Sequence, residues 1–518
     1  MSPYAILLPD TSGMALFAYA VPFAFVALGV LLSHRPKLTR RLAPLLLGIS
    51  AAFVLAIYLW MGPSVSPLLG IDDLGFSARL DVLSVAMLML IALLGAVILS
   101  FSFGYLDGDP RVGLFLKLIA QTLAAVGLLV SAGNLYQLVF GWVAMSLLLH
   151  RLLMFRRDRP FAVLAAKKKF VLARTGDLAL IAAALLLVRQ TGSAELHVIA
   201  QSVQLSSQVP VAALSLIALT AVLKSAQFPS HGWLVEVMEV PTPVSALLHA
   251  GIVNSGGFLL LRFADLFANA PVIGLVIALL GACTAILASA MMLAQNQVKA
   301  TLAYSTVAQM GFMLLQCGLG AYASALIHIL GHSLYKAHAF LSSGTAVDAM
   351  RADGWAQTMG NASWIRSLAI VLVLVVAGSA VASLVGLDVR AEPVTALFGY
   401  VFCLGLALLL DAGAQRLRVY GALVGVGLLY TATFVAVQRS GLMAFGAQLP
   451  HVSLSPAGFA LLIVFAVFAT VLVLLQGMSR RGWLATAYAH LAQGLYLNTW
   501  INGRLGAFRH AAARSSTS

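Results

Sequence analysis

Residues 220–251 read TAVLKSAQFPSHGWLVEVMEVPTPVSALLHAG, and the rest of the chain can be interpreted from them. Lys224 stands inside an apolar run long enough to lie in hydrocarbon. Placing such a charge there costs at least about 2.5–3.5 kcal/mol even on insertion scales, so an intramembrane lysine points first to an ion path. Pro229 follows about one turn later. It lacks an N–H, breaks the helical ladder and opens backbone carbonyls beside the ammonium. Pro241 and Pro243 add a second helix break before the next apolar run. Interrupted helices near the midplane are how transporters build polar sites in lipid. Glu236 and Glu239 are three apart and share a face, which His249 joins if the turn at 241–243 reverses the chain. Two roles for Lys224 stay open at this point. It is a station in an ion path, or it pairs with a carboxylate only to hold two helices together.

Outward from this stretch, the composition excludes a soluble fold. Of 518 residues, 61% are hydrophobic and 9% charged, with mean hydropathy +0.98, whereas soluble domains carry about 25% charged residues. Apolar runs recur along nearly the whole length without the ten-residue alternation of a barrel. The expectation is an all-α integral membrane protein of about 13–15 transmembrane helices. Net charge is +14, with the basic residues gathered at 34–41, 151–169, around Lys299, at 415–418 and beyond Arg480. That is the positive-inside bias rather than a nucleic-acid footprint, and the partner it implies is the lipid bilayer. It predicts an inner-membrane protein with its amino terminus outside, its carboxyl terminus cytoplasmic and its first span retained. The connections 62–81, 189–210 and 343–364 are too short for a soluble domain. In the tail 478–518, Trp483, Leu484, Tyr488, Leu491, Leu495 and Trp500 recur at roughly helical spacing, which suggests an interfacial helix or a docking surface. Cys283, Cys317 and Cys403 lie singly in apolar runs and read as packing residues.

Only eight lysines occur. Lys37 and Lys167, Lys168 and Lys169 fall in the basic connections, and Lys117 can snorkel from a span end. Lys299 and Lys336 remain with Lys224. The run ALIHILGHSLYKAHAFLSSG, residues 325–344, sets His328, His332 and Lys336 at i, i+4 and i+8 on one helical stripe. A His–x3–His pair can bind zinc, but no third ligand is evident and the lysine disfavours a cation. A proton relay suits the residues better, because imidazole titrates near neutrality and desolvation lowers a lysine towards the same range. Ser305 and Gln309, four apart after Lys299, can hold water between stations. Arg174 and Asp177 are spaced as a structural ion pair.

The stretches at 221–234, 241–251, QVKATLAYSTVAQMGFM at 297–313, HILGHSLYKAHAFLSSG at 328–344 and FVLARTGDLAL at 170–180 resemble the proton-pumping antiporter-like subunits of respiratory complex I and Mrp-type cation antiporters. The resemblance covers about residues 80–345. It implies two inverted five-helix repeats, each with a discontinuous helix, and a hydrophilic axis on which Lys224, His249, Lys299, His328, His332 and Lys336 occupy the family's positions. The implied organisation is 1–104, amino-terminal helices; 105–265, first repeat; 266–437, second repeat; and 438–518, last helix and amphipathic tail. Two positions depart from the family. The glutamate expected beside a tryptophan in the fifth helix is Val143, after Trp142. The second broken helix, around 365–390, lacks its lysine and offers only Asp388 and Arg390. The chain also ends soon after its last span.

Those departures, with the stretches at 142–153 and 168–178, resemble the membrane-subunit branch of DAB inorganic-carbon pumps. That resemblance implies a large soluble zinc partner related to β-carbonic anhydrases on the cytoplasmic side, driven by ion flow through this chain. The chain itself shows no zinc triad or nucleophile pair. It is expected to be a transport or energy-coupling subunit rather than an enzyme, without a cofactor of its own. The alternative is a proton-translocating subunit of a complex I-like or Mrp-type assembly. In either case the ion is expected to pass from Lys224 by way of Lys299 to His328, His332 and Lys336.

Overall fold

The computed structural model describes residues 10–34, 36–71, 74–156, 159–206, 209–345, 454–476 and 482–504, with Leu397, Tyr400 and Pro450. The spans expected at 365–385, 396–412 and 418–437, together with Asp388, Arg390 and Cys403, lie outside these residues apart from Leu397 and Tyr400.

Six long helices come first: α1 (Ala20–His34), α2 (Pro36–Met61), α3 (Val82–Tyr105), α4 (Val112–Val130), α5 (Leu135–Leu153) and α6 (Pro160–Thr191). The short α7 (Leu196–Ser206) precedes a broken element, α8 (Val211–Lys224) and α9 (Gly232–Glu236), which ends in a 3-10 turn at Val237–Glu239. A second interrupted span follows, with α10 (Thr242–Ala250) and α11 (Ser255–Arg262) joined by a 3-10 turn at Ile252–Asn254. Then come α12 (Ala264–Phe267), α13 (Pro271–Leu293), α14 (Val298–Gly318) and α15 (Tyr322–Leu341). Near the end lie α16 (Pro456–Gln476), α17 (Gly482–Ala492) and α18 (Leu497–Arg504). Among the described residues, eight helical segments are long and apolar enough to cross a membrane. The protein is an all-α, multi-spanning membrane protein with discontinuous helices. Helices satisfy their own backbone groups in lipid, and large apolar side chains such as Ile49, Leu59, Leu185 and Val272 point outward from the bundle.

The structure sharpens three sequence expectations. The break expected at Pro241 and Pro243 falls between the 3-10 turn at Val237–Glu239 and α10, which the two prolines open. Pro241 is the N-cap of α10 and Pro243 lies in its first turn, where a missing N–H leaves no hydrogen bond unmade. The interruption in that span falls at Gly251 and the 3-10 turn after it. The basic connection at 151–169 is also shorter than expected, because α6 already begins at Pro160. The lysines at 167–169, flanked by alanines and a phenylalanine, therefore belong to a helix. Finally, the tail folds against its own chain. Gln295 Nε2 donates to the Ala492 carbonyl at 3.3 Å, and Tyr488 donates to Asn296 Oδ1 at 3.3 Å.

Five strands of two or three residues gather at one end: β1 (Asp10–Thr11), β2 (Ser64–Val65), β3 (Leu69–Ile71), β4 (Leu74–Phe76) and β5 (Arg79–Leu80). β2 pairs with β1 in parallel and with β5 antiparallel, while β3 and β4 form a hairpin. Isolated bridges, Ala78 to Ala132 and Asn134 to Glu195, bring the connections after α4 and α6 to the same end. The basic connections lie at the other end, where Arg156 reaches Asp109 at 3.4 Å. The division of basic and non-basic connections read from the sequence is thus visible as two ends of the bundle.

α13 and α14 pack backbone to backbone. A Cβ on Gly281 would sit 2.5 Å from the Gly311 carbonyl oxygen, so only glycine admits this approach. Small residues at such contacts let transmembrane helices associate where lipid removes the hydrophobic drive. This tight pair anchors the broken helix, because Phe228 N–H in the break donates to Thr284 Oγ1 of α13 at 3.1 Å.

Candidate functional site

The break itself runs from Ser225 to His231. Ala226 adopts φ 50°, a left-handed conformation uncommon for a residue with a Cβ, and the peptide bond before Pro229 is cis. Lys224 is the last residue of α8, where the carbonyl end of a helix favours a cation. Thr220 Oγ1, one turn earlier, donates to the Gly176 carbonyl at 3.0 Å and ties α8 to α6.

Lys224 is 7% exposed. Among the described residues its Nζ has no hydrogen-bond acceptor; it lies over the Trp142 ring, 4.9 Å from the centroid. A desolvated cation–π contact contributes up to about 2 kcal/mol, short of the cost of burying the charge. The charges facing Lys224 include Asp177 and Arg174 of α6, which pair with each other at 2.5 Å. Glu236 and Glu239 do not serve it. Glu236 instead accepts from Lys168 at 2.6 and 2.8 Å and from Asn502 of α18 at 2.9 Å, while no described ion pair involves Glu239. Lys169 is the surprise: it is 3% exposed, donates to the Ser146 carbonyl at 2.9 Å, and lines with Lys224, Trp142 and Gly176 a cavity of about 10 Å³. Such a space admits about one water.

The second cluster sits where α15 meets α14 and α10. Lys336 is fully buried and donates to the Leu302 carbonyl at 3.1 Å. His332 Nε2 lies 3.3 Å from the His249 carbonyl, and the His249 ring stacks on Phe340 at 4.4 Å. The His328 and His332 rings are 6.0 Å apart, and His328 Nδ1 lies 2.7 Å from Gln316 Oε1. Lys299, half-buried, reaches Thr242 Oγ1 at 3.3 Å. Ser305 and Gln309 are half-buried on α14 with no described hydrogen bond to either cluster. α14 and α15 run antiparallel, since Leu302 meets Lys336 while Gln316 meets His328. Counted from Lys299, the order is therefore Lys336, His332, His328, the reverse of the chain order expected from sequence. Among the described residues, no group of three or more His, Cys, Asp or Glu is arranged to hold a metal ion.

At the far end, Arg262 closes α11 onto Asp81 at 2.6 Å, Ser84 at 2.8 Å and the Val130 carbonyl at 3.0 Å. Arg79 also reaches Asp81, at 2.7 Å. Burial alone would raise the Asp81 carboxyl, but the two guanidiniums outweigh it and hold it well below the usual carboxylate range. Burial raises Glu195, which accepts from Ser77 at 2.9 and 3.1 Å, and it raises Asp265.

Residues 132–399, which span the broken helix and the α15 stripe, match the family described as NADH:quinone oxidoreductase/Mrp antiporter, TM. The chain belongs to this antiporter family. Residues 70–116 match the chain 5 amino terminus of NADH-ubiquinone oxidoreductase (complex I). A probable inorganic carbon transporter subunit, DabB2 of Halothiobacillus neapolitanus, is 38% identical over 83% of this chain and 80% of its own length. The DabB subunit of Hydrogenovibrio crunogenus is 41% identical over 51% of this chain, and this chain spans 52% of that relative. NADH-ubiquinone oxidoreductase chain 5 of Metridium senile is 35% identical over 59% of this chain and 51% of its own length. The fold is similar to a subunit of the Mrp complex of Dietzia, with TM-score 0.60, 25% identity, and coverage of 93% of this chain and 52% of that one. The protein is thus a membrane subunit of the cation- and proton-conducting antiporter-like type. α5 carries no carboxylate: Val143 follows Trp142, and the carboxylate facing Lys224 is Asp177 on α6.

Lys168, Lys169 and Asn502 escaped the sequence reading. The lysines sit beside an apparent basic loop, and only the unbroken run from Pro160, without glycine or a further proline, signalled that they are helical.

Proposed function

We propose that this chain conducts a cation, the proton first and Na+ as the other candidate, through its buried lysine–histidine axis in the cell inner membrane. The flow energises inorganic-carbon accumulation by a large soluble zinc-binding partner, β-carbonic-anhydrase-like, docked on the cytoplasmic side. One observation carries this reading: the likeness to the DabB2 subunit extends over 83% of this chain and 80% of that subunit, whereas the chain 5 relative of Metridium covers 59% and 51%. In this reading, residues 105–265 and 266–437 are the two inverted repeats, the amino terminus is outside and the tail cytoplasmic.

The proton enters near Lys224 from the basic end, where Glu236 and Lys168 form the mouth and Glu239 lies beside them. It passes through Lys299 to Lys336, His332 and His328, with His249 against the stripe and Ser305 and Gln309 available to hold water. A lysine gaining or losing its proton changes the charge at the end of α8. That change biases the position of the break at Pro229, because the helix end favours the charged form. Hydration of CO2 to bicarbonate, with its zinc, belongs to the partner.

The likeness to complex I and Mrp subunits favours a second reading, a proton-translocating subunit of such an assembly. Purification of the tagged chain from its native membrane in mild detergent, with mass spectrometry and metal analysis, separates the two. One large soluble companion with about one zinc per complex is expected. A series of membrane subunits with flavin or iron–sulfur proteins would overturn the carbon-pump reading and leave the second.

A further inference from the structure

Two buried lysines, one on α6 and one at the end of α8, line the same water-sized cavity. Lys224 contributes its ammonium from the broken helix, held over Trp142. Lys169 lines it from α6, its Nζ 2.9 Å from the Ser146 carbonyl and 3.3 Å from Ser146 Oγ. The α5 residues they touch are one turn apart. Lys169 sits on the side of α5 nearer the basic end, and the adjacent Lys168 is already joined to Glu236 at 2.6 Å.

The groups facing Lys169 can be enumerated element by element. On α5 they are Ser146 and His150; on α8, Lys224; on its own helix, Arg174 and Asp177. The rest of the wall, Trp142, Trp233, Ile252 and Val253 among it, carries no charge. With both lysines protonated, three cations face the single carboxylate of Asp177. Like charges in a desolvated site repel, and both lysines line one cavity that admits about one water. An amine that has released its proton accepts where an ammonium donates, and the same water-sized cavity adjoins both residues.

We propose that Lys169 is a second proton carrier, exchanging a proton with Lys224 across this cavity and linking it to the Glu236–Lys168 mouth. The inference rests on the conduction reading above. In the step, an N–H bond on one lysine breaks as an N–H bond forms on the other, directly or through one water that gives up one proton as it accepts another. The total charge of the site does not change.

The test compares substitutions that separate charge from proton release. Arginine keeps the cation and the donor to Ser146 but stays protonated throughout the accessible range; histidine titrates, near about 6.5 when unperturbed. The full chain, with whatever partner co-purifies, is reconstituted in liposomes containing a pH-sensitive dye, and proton flux is driven by a potassium diffusion potential. Lys169→Arg is expected to melt within a few degrees of the wild type and to lose about 100-fold in flux, the lower end of the range for removing a proton-transfer group. Lys169→His is expected to recover flux with its pH profile displaced to lower pH. Wild-type flux in Lys169→Arg would overturn the proposal and leave Lys169 a structural cation, with conduction intact. Absence of flux in the wild type would remove the conduction reading, and this proposal with it.

Discussion

The two polar clusters are built on opposite plans. The α15 stripe places His328, His332 and Lys336 on one helix, and their neighbours are carbonyl oxygens, the Gln316 side chain and aromatic rings. The Lys224 site takes its groups from α5, α6 and α8, and it contains a carboxylate, a guanidinium and a second lysine. A stripe of imidazoles can hand a proton along without any helix moving. A lysine at the loose end of a broken helix couples its charge to backbone position. The first cluster is suited to carriage and the second to switching.

The strongest way to break this contrast is to remove each lysine in turn. Lys224→Ala is expected to lower coupled transport by about 100-fold or more, the scale of losing an essential proton-transfer group, with the complex still assembled. Lys336→Ala leaves His332 and His328 in place and is expected to cost about tenfold. Bicarbonate uptake by cells, together with flux in liposomes, measures both. Normal transport in Lys224→Ala would refute the pathway outright, and equal losses in the two variants would erase the distinction between carrier and switch.

Asp177→Asn sharpens it next. This change removes the one carboxylate facing Lys224 and Lys169 and strips Arg174 of its partner. Breaking a fully buried pair costs about 3–5 kcal/mol. Arg174 keeps 28% of its side chain exposed, so a smaller loss, on the order of 1–3 kcal/mol, is expected. Flux should fall several-fold with a lower melting temperature, and Asp177→Glu should restore part of both. A variant of unchanged flux would show that Asp177 is only a structural partner of Arg174.

The same difference in construction explains what could be read without coordinates. His328, His332 and Lys336 share one helix, so four-residue spacing alone puts them on one face. The break after Lys224 was equally plain, because Pro229 acts locally. The proline pair before α10 is legible as a break, while its place in the first turn of the next helix depends on where that helix starts. Lys169 was illegible for a different reason. A triple-lysine run beside arginines looks solvated, and only the packing of α6 on α5 and α8 takes one of the three into the interior. Glu236 likewise pairs with a residue 68 positions away, a partner that spacing does not predict. Local rules locate helices and stripes, while counter-ions are assigned by tertiary packing.

The smallest effect on transport is expected at the end remote from the lysines. Asp81 bridges Arg79 and Arg262 and also caps α3 through Ser84 N–H at 2.7 Å. Its folded carboxyl lies below its unfolded value, so the stability it contributes is complete above about pH 4, the unfolded carboxylate range. That contribution is lost as pH falls from there through the lower folded value. Between pH 8 and 5, then, this network should leave the melting temperature unchanged, and acid should lower it only beneath about pH 4. Asp81→Asn removes the charge at every pH, so it should melt lower at neutrality and lose this part of the acid dependence, while transport per folded molecule stays within about twofold. The two readouts must separate for Asp81 to be a fastener. Lost flux at unchanged stability would instead place it, with Arg262, on the proton's path, and the division between a conducting interior and a fixed far end would have to be redrawn.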